Sequence, residues 1–254
     1  MSRRRQRRRA PAAHAPGSAQ ASAPQRLAAI DGLRGFALCL MIVYHFSFDL
    51  AWFKVLQADF NHDPFWLEFR AVIVTLFLGL VGVSLVLAQR VHPGPVAFWR
   101  RVALIAVCAV LVSVVSYVTF PKTFITFGIL HCIAVSSVLA RPLIAWPRLA
   151  VLFGIAIIAI GNLVHLPAFD ATWLNWVGLM THKPPTEDYV PLLPWLGVVL
   201  VGIGIGHWLL ARERGAILAL SRATPAWLAW MGRHSLLIYL VHQPVLVGIL
   251  RVLL

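Results

Sequence analysis

Apolar residues in this chain gather into seven long blocks separated by short polar or proline-bearing stretches. The blocks run roughly 30–53, 66–89, 98–118, 124–144, 148–165, 191–211 and 232–253. Each is close to the ~20 residues that a helix needs to cross a bilayer. Pro93, Pro95, Pro121, Pro142, Pro147, Pro167, Pro184, Pro185 and Pro191 fall in or beside the connections, where helix-breaking chemistry belongs. Residues 222–231 read as a short interfacial helix with Trp227 and Trp230 at headgroup depth. No repeat of fixed period is visible. The pattern predicts an all-α polytopic membrane protein of about seven transmembrane helices.

Composition agrees and narrows the class. The chain is 60% apolar and 12% charged, against about 45–50% and about 25% in soluble domains. A secreted disulfide scaffold, a coiled coil and a soluble Rossmann enzyme are excluded. Cys39, Cys108 and Cys132 all lie inside apolar blocks and read as small core residues rather than a disulfide framework.

The net charge of +13 is unevenly distributed. Arg3, Arg4, Arg5, Arg7, Arg8, Arg9 and Arg26 stand in or at the edge of an Ala/Pro/Ser-rich stretch without acids, leaving +6 on the other 228 residues. Residues 1–25 therefore read as a disordered cytoplasmic tail that marks topology and attracts anionic lipid headgroups. Nucleic-acid binding by the tail is the weaker alternative. With the tail inside, Arg90, Arg100, Arg101, Arg141, Arg148, Arg212, Arg214, Arg222 and Arg233 fall on inner connections. Asp49, Asp59, Asp63, Glu68, Asp170, Glu187 and Asp188 fall outside, leaving only Asp31 and Glu213 inside. The positive-inside rule thus predicts a cytoplasmic N-terminus, an outer C-terminus and an odd helix count.

Ionisable groups within the apolar blocks are the candidate chemistry, because lipid excludes them unless they face the bundle interior. Asp31, Arg34, His45 and Asp49 fall on one stripe of the first helix. At about 100° per residue, Arg34 and His45 differ by about 20°, with Asp31 and Asp49 about 40° to either side of His45. An Asp31–Arg34 pair snorkelling at the interface explains the first two residues but not the others. In the last block Ser235, Tyr239 and His242 share a face, and Pro244 is expected to bend the helix beside His242. His131 lies in the fourth block, either as a satisfied core histidine or as part of the same path. The connection Asn61-His62-Asp63 reads either as a solvated turn or as the source of a catalytic base.

No His-x-x-x-His or Cys-x-x-Cys spacing puts two metal ligands on one face, so no metal is expected. Phosphate-loop and nucleophile-elbow motifs are also lacking. Gly79, Gly82, Gly202, Gly204 and Gly206 read as points of close helix packing.

The stretch Arg26-Leu27-x-x-Ile30-Asp31-Gly32-Leu33-Arg34-Gly35-Phe36-Ala37-Leu38-x-x-Met41-Ile42-x-Tyr44-His45 resembles bacterial membrane proteins that share the heparan-alpha-glucosaminide N-acetyltransferase catalytic domain. Residues 78–85 (LGLVGVSL), 128–134 (GILHCIA) and 194–202 (PWLGVVLVG) carry the resemblance further along the chain. The spacing of Arg34 and His45 is also similar to the first-helix motif of the acyltransferase-3 membrane proteins. The segment Gly232-Arg233-His234-Ser235-Leu236-x-Ile238-Tyr239-x-x-His242 looks like the closing helix of related families.

The resemblance implies that residues 26–254 form a transmembrane acyltransferase domain in a bacterial inner membrane. An acetyl group would pass from cytosolic acetyl-CoA, with no tightly bound cofactor, to a glycan or amino-sugar acceptor outside. The eukaryotic enzyme has more spanning helices and an extra luminal domain. Its catalytic histidine follows the first helix and corresponds best to the region of His62, whereas His45 matches the acyltransferase-3 histidine.

Either His45 or His62 is then the base or acyl carrier, oriented by Asp49 or Asp63. Arg34, beside Asp31, is expected to bind the anionic part of CoA. His131, Ser235, Tyr239 and His242 are expected to line the channel. Trp52, Trp66, Trp173, Trp176 and Trp195 suit either sugar stacking or an ordinary interfacial belt. A small-solute permease using the same polar track is the main rival, and an assembly protein the lesser one. Nothing in the pattern speaks to an oligomer.

Overall fold

The computed structural model describes residues 27–186, 188–211 and 220–254. The expectations placed on the arginine-rich tail and on Glu187, Arg212, Glu213 and Arg214 lie outside the described residues. Among those described, the protein is all-helical and has no strand. The α-helices in chain order are α1 (Ala28–Trp52), α2 (Pro64–Val91), α3 (Pro95–Thr119), α4 (Ile129–Ala140), α5 (Pro147–Leu163), α6 (Leu192–Ala211), α7 (Ala226–Arg233) and α8 (Ser235–Leu253). Short 3-10 turns follow α4 and punctuate the long connection between α5 and α6.

Helices α1, α2, α3, α6 and α8 are long and apolar enough to cross a membrane. Two further apolar stretches, Ile129–Leu143 and Pro147–Leu163, are shorter. The outer faces suit lipid rather than water. On α3, Val107, Leu111, Val114 and Val118 are exposed, and on α8 so are Leu237, Val241, Val245 and Ile249. Exposed apolar stripes with every backbone group satisfied within a helix are what a hydrocarbon solvent demands. The chain is therefore a multi-pass membrane protein.

Glycines set the close crossings. A Cβ on Gly82 of α2 would collide with the Val199 carbonyl of α6, and one on Gly202 with the Gly79 carbonyl. Helices α5 and α6 meet in the same way, with a Cβ on Gly154 lying 2.8 Å from the Gly197 oxygen. Small residues let backbones approach where lipid supplies no hydrophobic drive between helices. Leu78, Val199, Leu200 and Ile203 fill the resulting core. Helix α7 crosses α1 through Gly35 and Gly232, whose added Cβ atoms would strike the Leu228 and Asp31 carbonyls.

Two boundaries differ from the sequence pattern, each for a local reason. The expected helix at 124–144 begins only at Ile129. Upstream, two serines of α3 hold the chain in a loop: Ser113 Oγ donates to the Ile125 carbonyl at 2.6 Å, and the Ile125 amide donates to Ser116 Oγ at 3.0 Å. The expected helix at 232–253 breaks at His234 (φ −103°, ψ 21°). There the imidazole sits 4.7 Å from the Trp230 ring and its Nδ1 donates to the Trp230 carbonyl at 2.9 Å. The interfacial segment expected at 222–231 is the α7 region, with Trp227 and Trp230 exposed. Helix α8 carries Pro244 in its interior and runs on to Leu253.

Candidate active site

Helix α1 carries two polar sites on its inward stripe. At its N-terminal end Asp31 is buried, and Arg34 Nη1 donates to its Oδ1 at 2.7 Å. Arg34 also donates through Nη2 to Ser84 Oγ, which in turn donates to the Leu80 carbonyl. The i, i+3 pair expected from spacing is thus locked against α2 by a serine inside the Leu78–Leu85 stretch.

Eleven residues further along, about 16 Å at 1.5 Å per residue, His45 meets α8. Its ring centroid is 5.0 Å from that of His242, with the planes 60° apart. His242 Nδ1 donates to the Tyr239 carbonyl at 2.6 Å. That bond fixes the tautomer of the neutral ring and leaves Nε2 as the acceptor. Nε2 is buried and has no partner among the described residues.

One turn beyond His45, Asp49 is fully buried and accepts from Gln243 Nε2 at 2.6 Å. Its Oδ2, like Gln243 Oε1, is buried without a partner among the described residues. The arrangement follows from helical register. His45 and Asp49 are four residues apart on α1, and Tyr239, His242 and Gln243 share one face of α8.

Asp188, in the α5–α6 connection, ties this cluster to α4. Its Oδ2 accepts from the Tyr239 hydroxyl and from the Ile129 amide, both at 3.1 Å. A carboxylate on the first free amide of α4 suits the positive end of the helix dipole. Burial pushes the Asp188 carboxyl above its usual range, while the Ile129 amide, the Tyr239 hydroxyl, Arg70 and His131 act to lower it.

His131 sits in the first turn of α4, its Nδ1 accepting from the Gly128 amide at 3.2 Å and its Nε2 lying 3.4 Å from Ser113 Oγ. Ser235 opens α8, half-buried. On the far side of Asp188, Arg70 interacts electrostatically with both Asp188 and Tyr44, whose ring stands edge-on to His45 at 5.6 Å. An aromatic cluster of Phe60, Trp66 and Phe69 surrounds Tyr44 and holds it there.

His62 and Asp63 lie elsewhere, in the turn between α1 and α2. The His62 side chain is 85% exposed, and its Nδ1 is 2.8 Å from Asp59 Oδ2. Asp63, expected to orient this imidazole, instead caps α2 by accepting from the Phe65 amide at 2.9 Å. The Asn61 amide and then the His62 side chain hold the Asp59 carboxyl below its usual range. Asp49, expected to orient His45, is engaged by Gln243.

The structure thus gathers His45, Asp49, Tyr239 and His242 into one cluster, joins His131 to it through Asp188, and sets Asp31 and Arg34 at the other end of α1. Sequence reasoning had not singled out Gln243, Asp188, Ser84 or Arg70. Gln243 had a signal, being a polar residue beside His242 on the same helical face. Asp188 and Arg70 had none, since only the packing of distant segments brings them here.

The sequence profile of the heparan-alpha-glucosaminide N-acetyltransferase catalytic family matches residues 26–244. Neither a curated protein nor a solved structure matches the chain.

Proposed function

The chain belongs to the heparan-alpha-glucosaminide N-acetyltransferase catalytic family, and from that premise we propose that it carries acetyl groups across a bacterial inner membrane. The donor is cytosolic acetyl-CoA, and the acceptor is a hydroxyl or amine of a sugar outside. In this scheme seven helices span the bilayer, α4 and α5 completing the set, with the N-terminus inside and the C-terminus outside. The Arg34 end of α1 then faces the cytoplasm, and His45, Asp49 and His242 lie in the outer half.

One observation carries the proposal. Two half-buried imidazoles pack together beside His242 Nε2, Asp49 Oδ2 and Gln243 Oε1, buried acceptors without a donor among the described residues. Buried acceptors left unpaired cost about 1–3 kcal/mol each. A sugar hydroxyl or amine brings the donors they lack, and is also the nucleophile that acetyl transfer needs.

In the proposed step the acceptor oxygen or nitrogen attacks the thioester carbonyl and its proton passes to an imidazole. The carbon–sulfur bond then breaks, and the imidazolium returns the proton to the CoA thiolate. His242 suits the proton transfer because the Tyr239 carbonyl holds its Nδ1–H, much as a carboxylate orients the base in a catalytic triad. His45 packs against it. Arg34 binds the anionic part of the donor, where a guanidinium matches phosphate geometry.

The test is acetyl transfer from labelled acetyl-CoA to sugars in membrane vesicles. His45→Ala and His242→Ala should each lose about 10²–10⁴-fold in rate, the usual contribution of a positioned base. Full activity in both variants overturns the mechanism.

A further inference from the structure

A cavity of about 320 Å³ opens between α2, the start of α6 and the long α5–α6 connection. It lies at the small end of the ~300–1,000 Å³ range of ligand pockets and has room for a single sugar-sized group. Arg70, His165, His182 and Lys183 bring positive or ionisable nitrogen to its wall, and Tyr189 and Trp195 bring ring faces.

Among the described residues, the acids nearby are Asp170, held by Thr181, and Asp188, which faces Arg70 as well as the active-site cluster. Asp170 accepts from the Thr181 amide at 2.8 Å and hydroxyl at 2.7 Å, with His182 Nδ1 3.5 Å away. Asp188 accepts from Tyr239 and Ile129, on the side of the active-site cluster. Lys183 also donates to Asn61 Oδ1 at 3.3 Å, which ties the cavity's rim to the α1–α2 turn. Through Arg70 the cavity adjoins Tyr44 and Asp188, the two residues that flank His45 and Tyr239.

We propose that this cavity docks the acceptor and selects a sugar bearing an anionic substituent, carboxylate or phosphate. The proposal rests on the acetyltransferase assignment and adds the acceptor's chemical class. Arg70 offers a planar fork of donors to such a group, Lys183 a second charge, and Trp195 a face for the ring. The anion anchors the sugar while its hydroxyl or amine reaches toward the unpaired acceptors around His242.

The test needs no turnover. The full chain in phosphatidylcholine nanodiscs is titrated calorimetrically with glucosamine 6-phosphate, glucuronate and neutral glucosamine. Both anionic sugars should bind at least tenfold tighter than glucosamine, and the advantage should shrink as salt rises. Arg70→Gln and Lys183→Gln should each cut it at least fivefold. Lys183→Arg, which keeps the charge, should retain most of it, and Arg70→Lys, which keeps the charge but loses the fork, should fall between the parent and Arg70→Gln, so both report on folding.

Equal binding of the three sugars, or an advantage kept in both glutamine variants, overturns the proposal. Phosphatidylglycerol nanodiscs separate sugar from lipid: abolished sugar binding there assigns the anion site to a headgroup and also overturns it. Acetyl transfer is followed in the same discs with labelled acetyl-CoA. Transfer without preference for anionic sugars fails the cavity proposal alone. Preferential binding without transfer to any sugar fails the enzymatic assignment, and with it the acceptor role but not the anion site.

Discussion

Replacing Gln243 by leucine keeps most of the side chain's bulk and removes the amide that donates to Asp49 Oδ1 at 2.6 Å. Asp49 is fully buried and its Oδ2 has no partner among the described residues, so the variant strips this carboxylate of the donor that α8 supplies. Neutral interhelical hydrogen bonds in membranes average about 0.6 kcal/mol and reach about 1.7. Hydrogen bonds to charged groups contribute about 1.5–3 kcal/mol. A short bond to a buried carboxylate belongs where these ranges overlap, at about 1.5–1.7 kcal/mol. For a chain of this size each kcal/mol moves Tm by roughly 2–4 °C, so Gln243→Leu should melt about 3–7 °C lower. Tryptophan fluorescence during a thermal ramp in detergent reads this directly. Asp49→Leu combined with Gln243→Leu removes both partners, leaves no orphan and should restore most of the lost stability. The double variant should still fail to transfer acetyl groups, which separates the pair's role in holding α1 to α8 from its role in the reaction. A single-variant shift below about 1 °C, or a double variant at least as unstable as the single, would refute the assignment of this contact as a stabilising link.

Three other outcomes follow from particular contacts. Gly82→Val should lower Tm by more than about 10 °C or prevent accumulation, because the new side chain meets the Val199 carbonyl of α6 and backbone cannot yield. Gly79→Ala, with nothing within 4 Å of its added Cβ, should change Tm by less than about 2 °C and serves as the control. His62→Ala, which alters an 85% exposed side chain, should stay within about threefold of the parent in acetyl transfer; a hundredfold loss would move the base to the α1–α2 turn. The Asp59 carboxyl is held low by the Asn61 amide and His62, so its hold on the turn is fully present above the usual carboxylate pKa of about 4. That hold is lost as pH falls through the lowered folded value. Hydrogen exchange at the Asn61 and His62 amides, which donate to Asp59 Oδ1, should show protection surviving at pH about 4 and fading in stronger acid. Protection already gone at pH about 5 would contradict this.

What the sequence made legible is whatever repeats with the helix. The inward stripe of α1 could be found by angle alone, because lipid penalises a misplaced charge and the 3.6-residue period does the rest. The α8 face of Tyr239 and His242 was legible for the same reason. The pairing between stripes was not. Gln243 reaches Asp49 across 194 residues of chain, and Tyr239 reaches Asp188 across 51. Nothing periodic encodes such registers; they come from glycine-mediated crossings that set how far one helix slides along another. The late start of α4 was hidden because it depends on Ser113 and Ser116 of the preceding helix, and serine in an apolar block looks like any other small residue. His45 and His62 looked equivalent as candidates because spacing carries no exposure: the His62 side chain is 85% exposed, whereas His45 packs against His242.

The two polar sites of α1 also divide the reaction's problem. A donor anchored at Arg34 must present its acetyl group about 16 Å away, beside His45. CoA has that shape: a long flexible arm separates its phosphates from its thioester. Under the proposed mechanism Arg34 acts on a part of the donor remote from the reacting carbon, and its contribution can be removed from either side. Acetyl-pantetheine, which lacks the nucleotide and its phosphates, should be a poorer donor than acetyl-CoA. Arg34→Gln should cut kcat/KM for acetyl-CoA by about 10–100-fold, the range expected for a charge-assisted contact, and leave acetyl-pantetheine nearly unaffected. That pattern is a cycle in which the side chain matters only when its ligand is present. Arg34 also braces Asp31 and Ser84, and a purely structural role makes the opposite prediction. If Arg34→Gln damages both donors equally, the guanidinium holds α1 against α2 and the phosphates bind elsewhere.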